Sequence, residues 1–239
     1  MNLNPVIVIP TFWCPRRSSA GAASGPIFDY ATPVDKPGNL GRCLESLKKV
    51  DGLGRVVVLV AAEGGAENQA AERVRGILSN FPEMELAMVA APELRHIHRR
   101  MEQVGMGALA SCATLNGYGA IRNLGILAAS IFGHDTVIFM SDDVVVDRPD
   151  FLERALFGIG AQTPNGGLVT AKTGYYFDAE GDRLARPDKR WYRSSWNKAA
   201  SFNAYLKPAL EGPRLSRANT ASASCLVLHA ETFGSVSFD

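Results

Sequence analysis

The segment Phe139-Met140-Ser141-Asp142-Asp143 sets two adjacent carboxylates directly after an apolar run, Thr136-Val137-Ile138-Phe139-Met140, that reads as a buried strand. Neighbouring carboxylates repel one another, and a divalent cation relieves that repulsion. Hard ions such as Mn²⁺ or Mg²⁺ accept one or two carboxylates and fill their shell with water and phosphate oxygens. A polar strand-to-loop turn uses Asp pairs too, so this motif alone leaves both readings open. Two further segments have the same character. In Gly117-Tyr118-Gly119-Ala120-Ile121-Arg122-Asn123, glycines open a helix whose N-terminus favours an anion, and Arg122 offers a fork for a phosphate. The plainer reading is a solvated Arg after a helix start. Glu63, followed by Gly64-Gly65 after another apolar run, offers a carboxylate to a ribose or a base, or is simply a turn acid.

These residues need elements to position them. Val6-Ile7-Val8-Ile9 reads as a buried strand stopped by Pro10, and Arg55 to Ala62 as a second. Glu85 to Ala90 reads as a third strand, stopped by Pro92, and 136–140 as a fourth. Between them, Asn39 is placed to cap a helix to about Val50, with Leu40, Cys43, Leu44 and Leu47 on one face. Helices are also expected over 66–80, 93–104 and 120–131. Continuous apolar strands alternating with helices predict an α/β fold with a parallel sheet covered on both faces. Ligands of such sheets bind beyond the carboxyl ends of the strands, where Asp142 and Asp143 fall. Further on, a helix is expected over Pro149 to about Gly158, and strands over Gly167–Ala171 and Cys225–His229. The stretch between those strands shows no clear period and reads as a long loop or irregular subdomain.

The chain has 239 residues, 25 basic and 24 acidic, for a formal charge of +1. That balance argues against a nucleic-acid coat. It also hides an asymmetry, because residues 183–217 hold nine Lys or Arg and only two Asp or Glu. No apolar segment is long and unbroken enough for a membrane span, and residues 1–5 lack the basic start of a secretory signal. Cysteines 14, 43, 112 and 225 form no CxxC pair, which suits reduced thiols and a cytoplasmic location.

Taken in order, these pieces resemble the nucleotide-sugar-dependent family 2 glycosyltransferases. The matching segments are Val6 to Thr11, Leu40 to Leu47, Val57 to Gly65, Arg122-Asn123-Leu124-Gly125, Val137 to Asp143 and Asn219 to Phe233. The resemblance implies a GT-A-like three-layer α/β sandwich around a mostly parallel sheet. It implies one domain over 1–239, with about 1–143 as the donor half and about 144–239 as the acceptor half. Asp143 then matches the last carboxylate of a DxD-type motif holding Mn²⁺ or Mg²⁺ on the donor diphosphate, and Asp142 matches its neighbour. Glu63 stands where the family has an Asp reading the base. Pro10 and Thr11 match the first-strand turn lining the nucleoside pocket, and Arg122 borders it. The implied partners are a nucleoside-diphosphate sugar and a hydroxyl acceptor, with no nucleic acid. Peripheral membrane contact stays compatible with it.

The sequence also departs from the family pattern. Ser141 replaces the first Asp of the motif, and Ala221-Ser222-Ala223-Ser224 replaces a Gly-Gly. The family's general base follows a Phe-Asp-like segment, which here is Phe238-Asp239, so the base is expected beyond Asp239. His229 sits where a strand should end; some glycosyltransferases use a His as an extra metal ligand, and the plainer reading is a strand-end residue. Trp191, Tyr192, Trp196 and Tyr205 suit stacking on a sugar or base, or a small subdomain core. Two other functions fit the same residues: nucleotidyl transfer with release of pyrophosphate, and a non-catalytic sugar-nucleotide-binding module. Nucleotidyl transfer normally carries a glycine-rich basic loop directly after the first strand. Placing that strand's end at Pro10 puts Thr11 to Arg17 there, without glycines.

Overall fold

The computed structural model describes residues 3–16, 31–163, 165–178, 180–186, 198–218, 221–222, 224–235 and 237–238. Its centre is a seven-stranded sheet. The strands are β1 (Pro5–Cys14), β2 (Thr32–Pro33), β3 (Val56–Ala62), β4 (Leu86–Val89), β5 (Thr136–Met140), β6 (Ala171–Thr173) and β7 (Cys225–His229). Their order across the sheet is β4-β3-β1-β5-β7-β6, and β2 adds to the far end of β1. All pairings are parallel except β5–β7 and β6–β7. The fold is therefore α/β with a mostly parallel sheet, as expected.

Six helices flank it among the described residues: α1 (Leu40–Leu47), α2 (Glu67–Leu78), α3 (Ala91–Gln103), α4 (Tyr118–Ile131), α5 (Phe151–Leu156) and α6 (Lys198–Glu211). The strand pleat sorts the core into two layers. Ile7, Ile9 and Trp13 of β1 pack with Val56, Val58 and Val60 against α1, α2 and α5. Val6, Val8, Val57, Leu59 and Phe139 face the other way, against α4 and the partly buried Leu94 and Ile97 of α3. The α1 stripe of Leu40, Cys43, Leu44 and Leu47 is fully buried, as its spacing predicts. Asn39 precedes α1 without capping it. Its backbone is already helical (φ −103°, ψ −19°), whereas a capping side chain needs an extended one.

Three expectations are corrected. Pro10 does not stop β1, which continues to Cys14 in register with Ala62 at Trp13. The Ile7 amide donates towards β3, to Arg55, so alternate residues, Pro10 among them, turn their nitrogen to the opposite side. On that side β5 pairs only as far as Val8, so no ladder bond is lost at Pro10. The expected strand at 167–171 lies instead at β6. Residues 167–169 fold back on 160–163, closed by the Thr163 hydroxyl, which donates to the Gly167 carbonyl (3.0 Å) and accepts from its amide (3.1 Å). Finally, the aperiodic stretch contains α6, with Pro208 inside it. The Asn203 side chain ties α6 to the chain before it, bonding both the amide and the carbonyl of Ala185 at 2.8 Å.

Candidate functional site

Moving outward from β1, the chain places β3 and β4 on one side and β5 on the other. The crevice between the carboxyl ends of β1 and β5 is thus a topological switch point, where open α/β sheets bind ligands. Asp142 enters this crevice. Its Oδ2 accepts a hydrogen bond from the Thr11 hydroxyl of β1 at 2.6 Å. Burial pushes the Asp142 carboxyl up to about 6, the Thr11 bond opposes that, and the neighbouring charge of Asp143 adds to it. Asp143 itself is exposed.

The loop after β5 is anchored on α1. The Ser46 hydroxyl accepts the Val146 amide at 2.9 Å, and the Asp51 amide donates to the Pro149 carbonyl at 2.9 Å. Cys43 lies beneath, its Sγ 3.9 Å from the Ser141 carbonyl. Burial, then Asp142 and Asp143, push its thiol up to about 12, so it floors the loop as a neutral group. Towards β7, the Ser141 hydroxyl donates to the Ser224 hydroxyl at 2.8 Å. Both serines fall in segments where the sequence departs from the pattern it resembles, and they touch across 83 residues of chain. Sequence reading marked each departure but not their contact.

Glu63 follows β3, half-buried, and its amide bonds the Trp13 carbonyl at 2.9 Å. It therefore borders the same end of the sheet. Pro10 and Thr11 lie within β1 and are buried, so they form strand rather than a turn. Arg122 stands on the α4 layer. Its Nη1 donates to the Tyr118 carbonyl at 2.6 Å, and its guanidinium lies 5.7 Å from the Tyr118 ring. That ring is 5.7 Å from Phe12 at the end of β1. Burial lowers the Arg122 pKa, and its Nε is buried without a hydrogen-bond partner among the described residues. The neighbouring Asn123 bonds both the amide (2.8 Å) and the carbonyl (2.9 Å) of Phe238, whose ring meets Phe139 edge-on.

His229 pairs with Thr136, at the opposite end of β5 from Asp142. Its place in the register removes it as a ligand for a metal at Asp142 or Asp143. Asp239, Asn219, Trp191, Tyr192 and Trp196 lie outside the described residues. Among the described residues no three His, Cys, Asp or Glu side chains converge on a metal-sized site. No helix among them is long and apolar enough to cross a membrane. A cavity of about 750 Å³, between the end of β6 and α6, passed unread in the sequence. Tyr175 and Tyr176 lie on its wall, directly after β6, and were the available signal.

No protein-family model matches this chain, and no curated protein matches it in sequence. Among solved structures, the crystal structure of a 4-diphosphocytidyl-2C-methyl-D-erythritol synthase is similar over 99% of this chain and 81% of that one. The sequence identity is 11% and the TM-score 0.40.

Proposed function

We propose that this chain is a transferase that binds a nucleotide donor in the β1–β5 crevice. It moves a sugar from a nucleoside-diphosphate sugar to a hydroxyl acceptor, with inversion. The observation that supports this reading is the pair Asp142-Asp143 at the carboxyl end of β5, with Asp142 bonded to Thr11. The donor set is all oxygen and supplies two carboxylates, which fits Mn²⁺ or Mg²⁺ completed by diphosphate and water. When bound, such an ion offsets the charge that gathers on the departing diphosphate. Thr11 orients Asp142, leaving exposed Asp143 to face the ion. Glu63 accepts hydrogen bonds from the ribose or base, and Arg122 borders the pocket by holding Tyr118 against Phe12. In the transfer, the acceptor oxygen forms a bond to the anomeric carbon while the bond from that carbon to the diphosphate oxygen breaks. The electron pair leaves with the diphosphate, and the hydroxyl proton passes to a base.

Asp143→Ala tests the reading. It should abolish Mn²⁺-dependent donor binding and hydrolysis, measured by calorimetry and by release of nucleoside diphosphate. Unchanged donor affinity and turnover would refute the role.

A second reading, nucleotidyl transfer from a triphosphate, is favoured by one observation. Because β1 runs to Cys14, the segment after it begins at Pro15 and includes Arg16, Arg17, Gly21 and Gly25. The expected lack of a basic, glycine-bearing loop depended on ending the strand at Pro10. Pyrophosphate release from a nucleoside triphosphate, with no turnover of sugar nucleotides, would select this reading. Donor binding without either product would mark a binding module.

A further inference from the structure

The cavity between β6 and α6 is about 750 Å³, within the range of small-molecule sites. Tyr175 and Tyr176 form one side, and Ala199, Phe202 and Leu206 of α6 form another. Tyr175, Tyr176 and Phe202 all present exposed ring surface. The cavity opens at the end of the sheet that holds Asp142. Ser222 lines it, and the Ser224 amide bonds the Ser222 hydroxyl at 3.4 Å. Ser224 in turn holds Ser141, next to Asp142.

Several polar groups of its walls are turned onto one another. Arg186 pairs with Asp182 at 2.7 Å. Asp178 accepts the amides of Asp182 (2.7 Å) and Glu180 (3.0 Å). The Thr173 hydroxyl donates to the Cys225 carbonyl (3.2 Å) and accepts the Ser222 amide (3.0 Å). A carbohydrate, with a hydroxyl on nearly every carbon, loses water on entry and needs partners in return. The wall groups just named are already paired, and beside them the cavity offers the ring faces of Tyr175, Tyr176 and Phe202 and the methyl groups of Ala199 and Leu206. Aromatic faces are matched by flat, apolar rings in offset or edge-on contact.

We propose that this cavity holds the body of the acceptor, and that the body is a planar, largely apolar ring system carrying the reacting hydroxyl. The acceptor role rests on the transfer reading above; the ring preference rests on the cavity.

The test uses the full chain and three probes, with affinities measured by calorimetry: 2-naphthol, cellobiose and 1-octanol. We expect 2-naphthol to bind most tightly of the three, and Phe202→Ser to weaken it at least fivefold. If Phe202→Ser loses its wild-type circular dichroism, Tyr176→Ser, at a side chain 53% exposed, is read in its place. No binding of 2-naphthol, tighter binding of cellobiose or 1-octanol, or a loss below fivefold overturns the assignment. Nucleoside diphosphate with Mn²⁺ is titrated into the same preparation. Nucleotide binding without naphthol binding defeats the cavity assignment alone. Naphthol binding without nucleotide binding defeats the transfer reading and leaves a ring-binding cavity.

Discussion

Gly125 sets how closely α4 approaches the sheet, and Gly125→Ala should expose that. A Cβ built there meets Phe139 Cε1 at 2.8 Å, Val8 Cγ1 at 2.9 Å and Phe139 Cζ at 3.2 Å. Neither neighbour can yield readily. Val8 and Phe139 are both 0% exposed, and the Phe238 ring stands edge-on to Phe139 with centroids 6.0 Å apart. Two effects oppose. Alanine in a helix interior gains about 0.5–1 kcal/mol over glycine. Overpacking a filled core costs about 1–3 kcal/mol. Two of the contacts lie below 3.0 Å and all are against rigid core atoms, so the second effect wins, by about 1–2 kcal/mol. At about 2–4 °C per kcal/mol for a chain of this size, the midpoint should fall by roughly 2–8 °C. Gly76→Ala in α2 is the matched control, because its Cβ would meet nothing within 4 Å. It should gain about 0.5–1 kcal/mol, giving the two variants opposite signs. Urea unfolding followed by far-ultraviolet circular dichroism measures both. A Gly125→Ala protein as stable as wild type, or a Gly76→Ala protein equally weakened, would refute the close-approach argument.

Asp142→Asn keeps an acceptor for Thr11 and removes a carboxyl whose pKa is raised from 3.8 to about 6. The native state gains from protonated Asp142 below pH 3.8 and loses that gain as pH rises through about 6. The variant should therefore match wild type in acid and exceed it by about 2–3 kcal/mol above pH 6 without metal; a pH-independent difference in urea midpoints would contradict this. Asn123→Ala removes two bonds to Phe238 and one to the Cys112 carbonyl. It should cost about 2 kcal/mol in the same unfolding assay, and a cost below about 0.5 would show the clip to be slack. Cys112 is the exposed thiol, while Cys43 is buried with its pKa pushed up to about 12. Cys112→Ser should remove the fast phase of thiol titration in the native protein, and a surviving fast phase would show that Cys14, Cys43 or Cys225 is open to reagent.

Much of the candidate site could be read from residue order because its carboxylates sit at the ends of strongly apolar strands. β3 and β5 announce themselves as unbroken runs with no charged residue, and Glu63 and Asp142 follow closely on them. The end of β1 was hidden because a proline normally breaks a ladder. Only the sheet's composition shows that β5 has already stopped when Pro10 arrives. The helix α6 was hidden for a different reason: its apolar residues form no stripe, and Pro208 argues against a helix. The Ser141–Ser224 bond was out of reach for any local pattern, since it depends on β7 returning antiparallel beside β5. The cavity beyond it depends on the same return.

That return has a consequence for synthesis on the ribosome. β5 is buried on both faces and needs β1 on one edge and β7 on the other. Its first neighbour is made at the start of the chain, but Cys225, the partner of Met140, comes about 85 residues later. At about 5–20 residues per second, that edge waits roughly 4–17 s with open amides and carbonyls. During this interval the nascent chain presents a bare, apolar strand edge able to recruit another chain. Translation speed and chaperone supply therefore bear on how much of this protein reaches its native sheet, alongside its final stability.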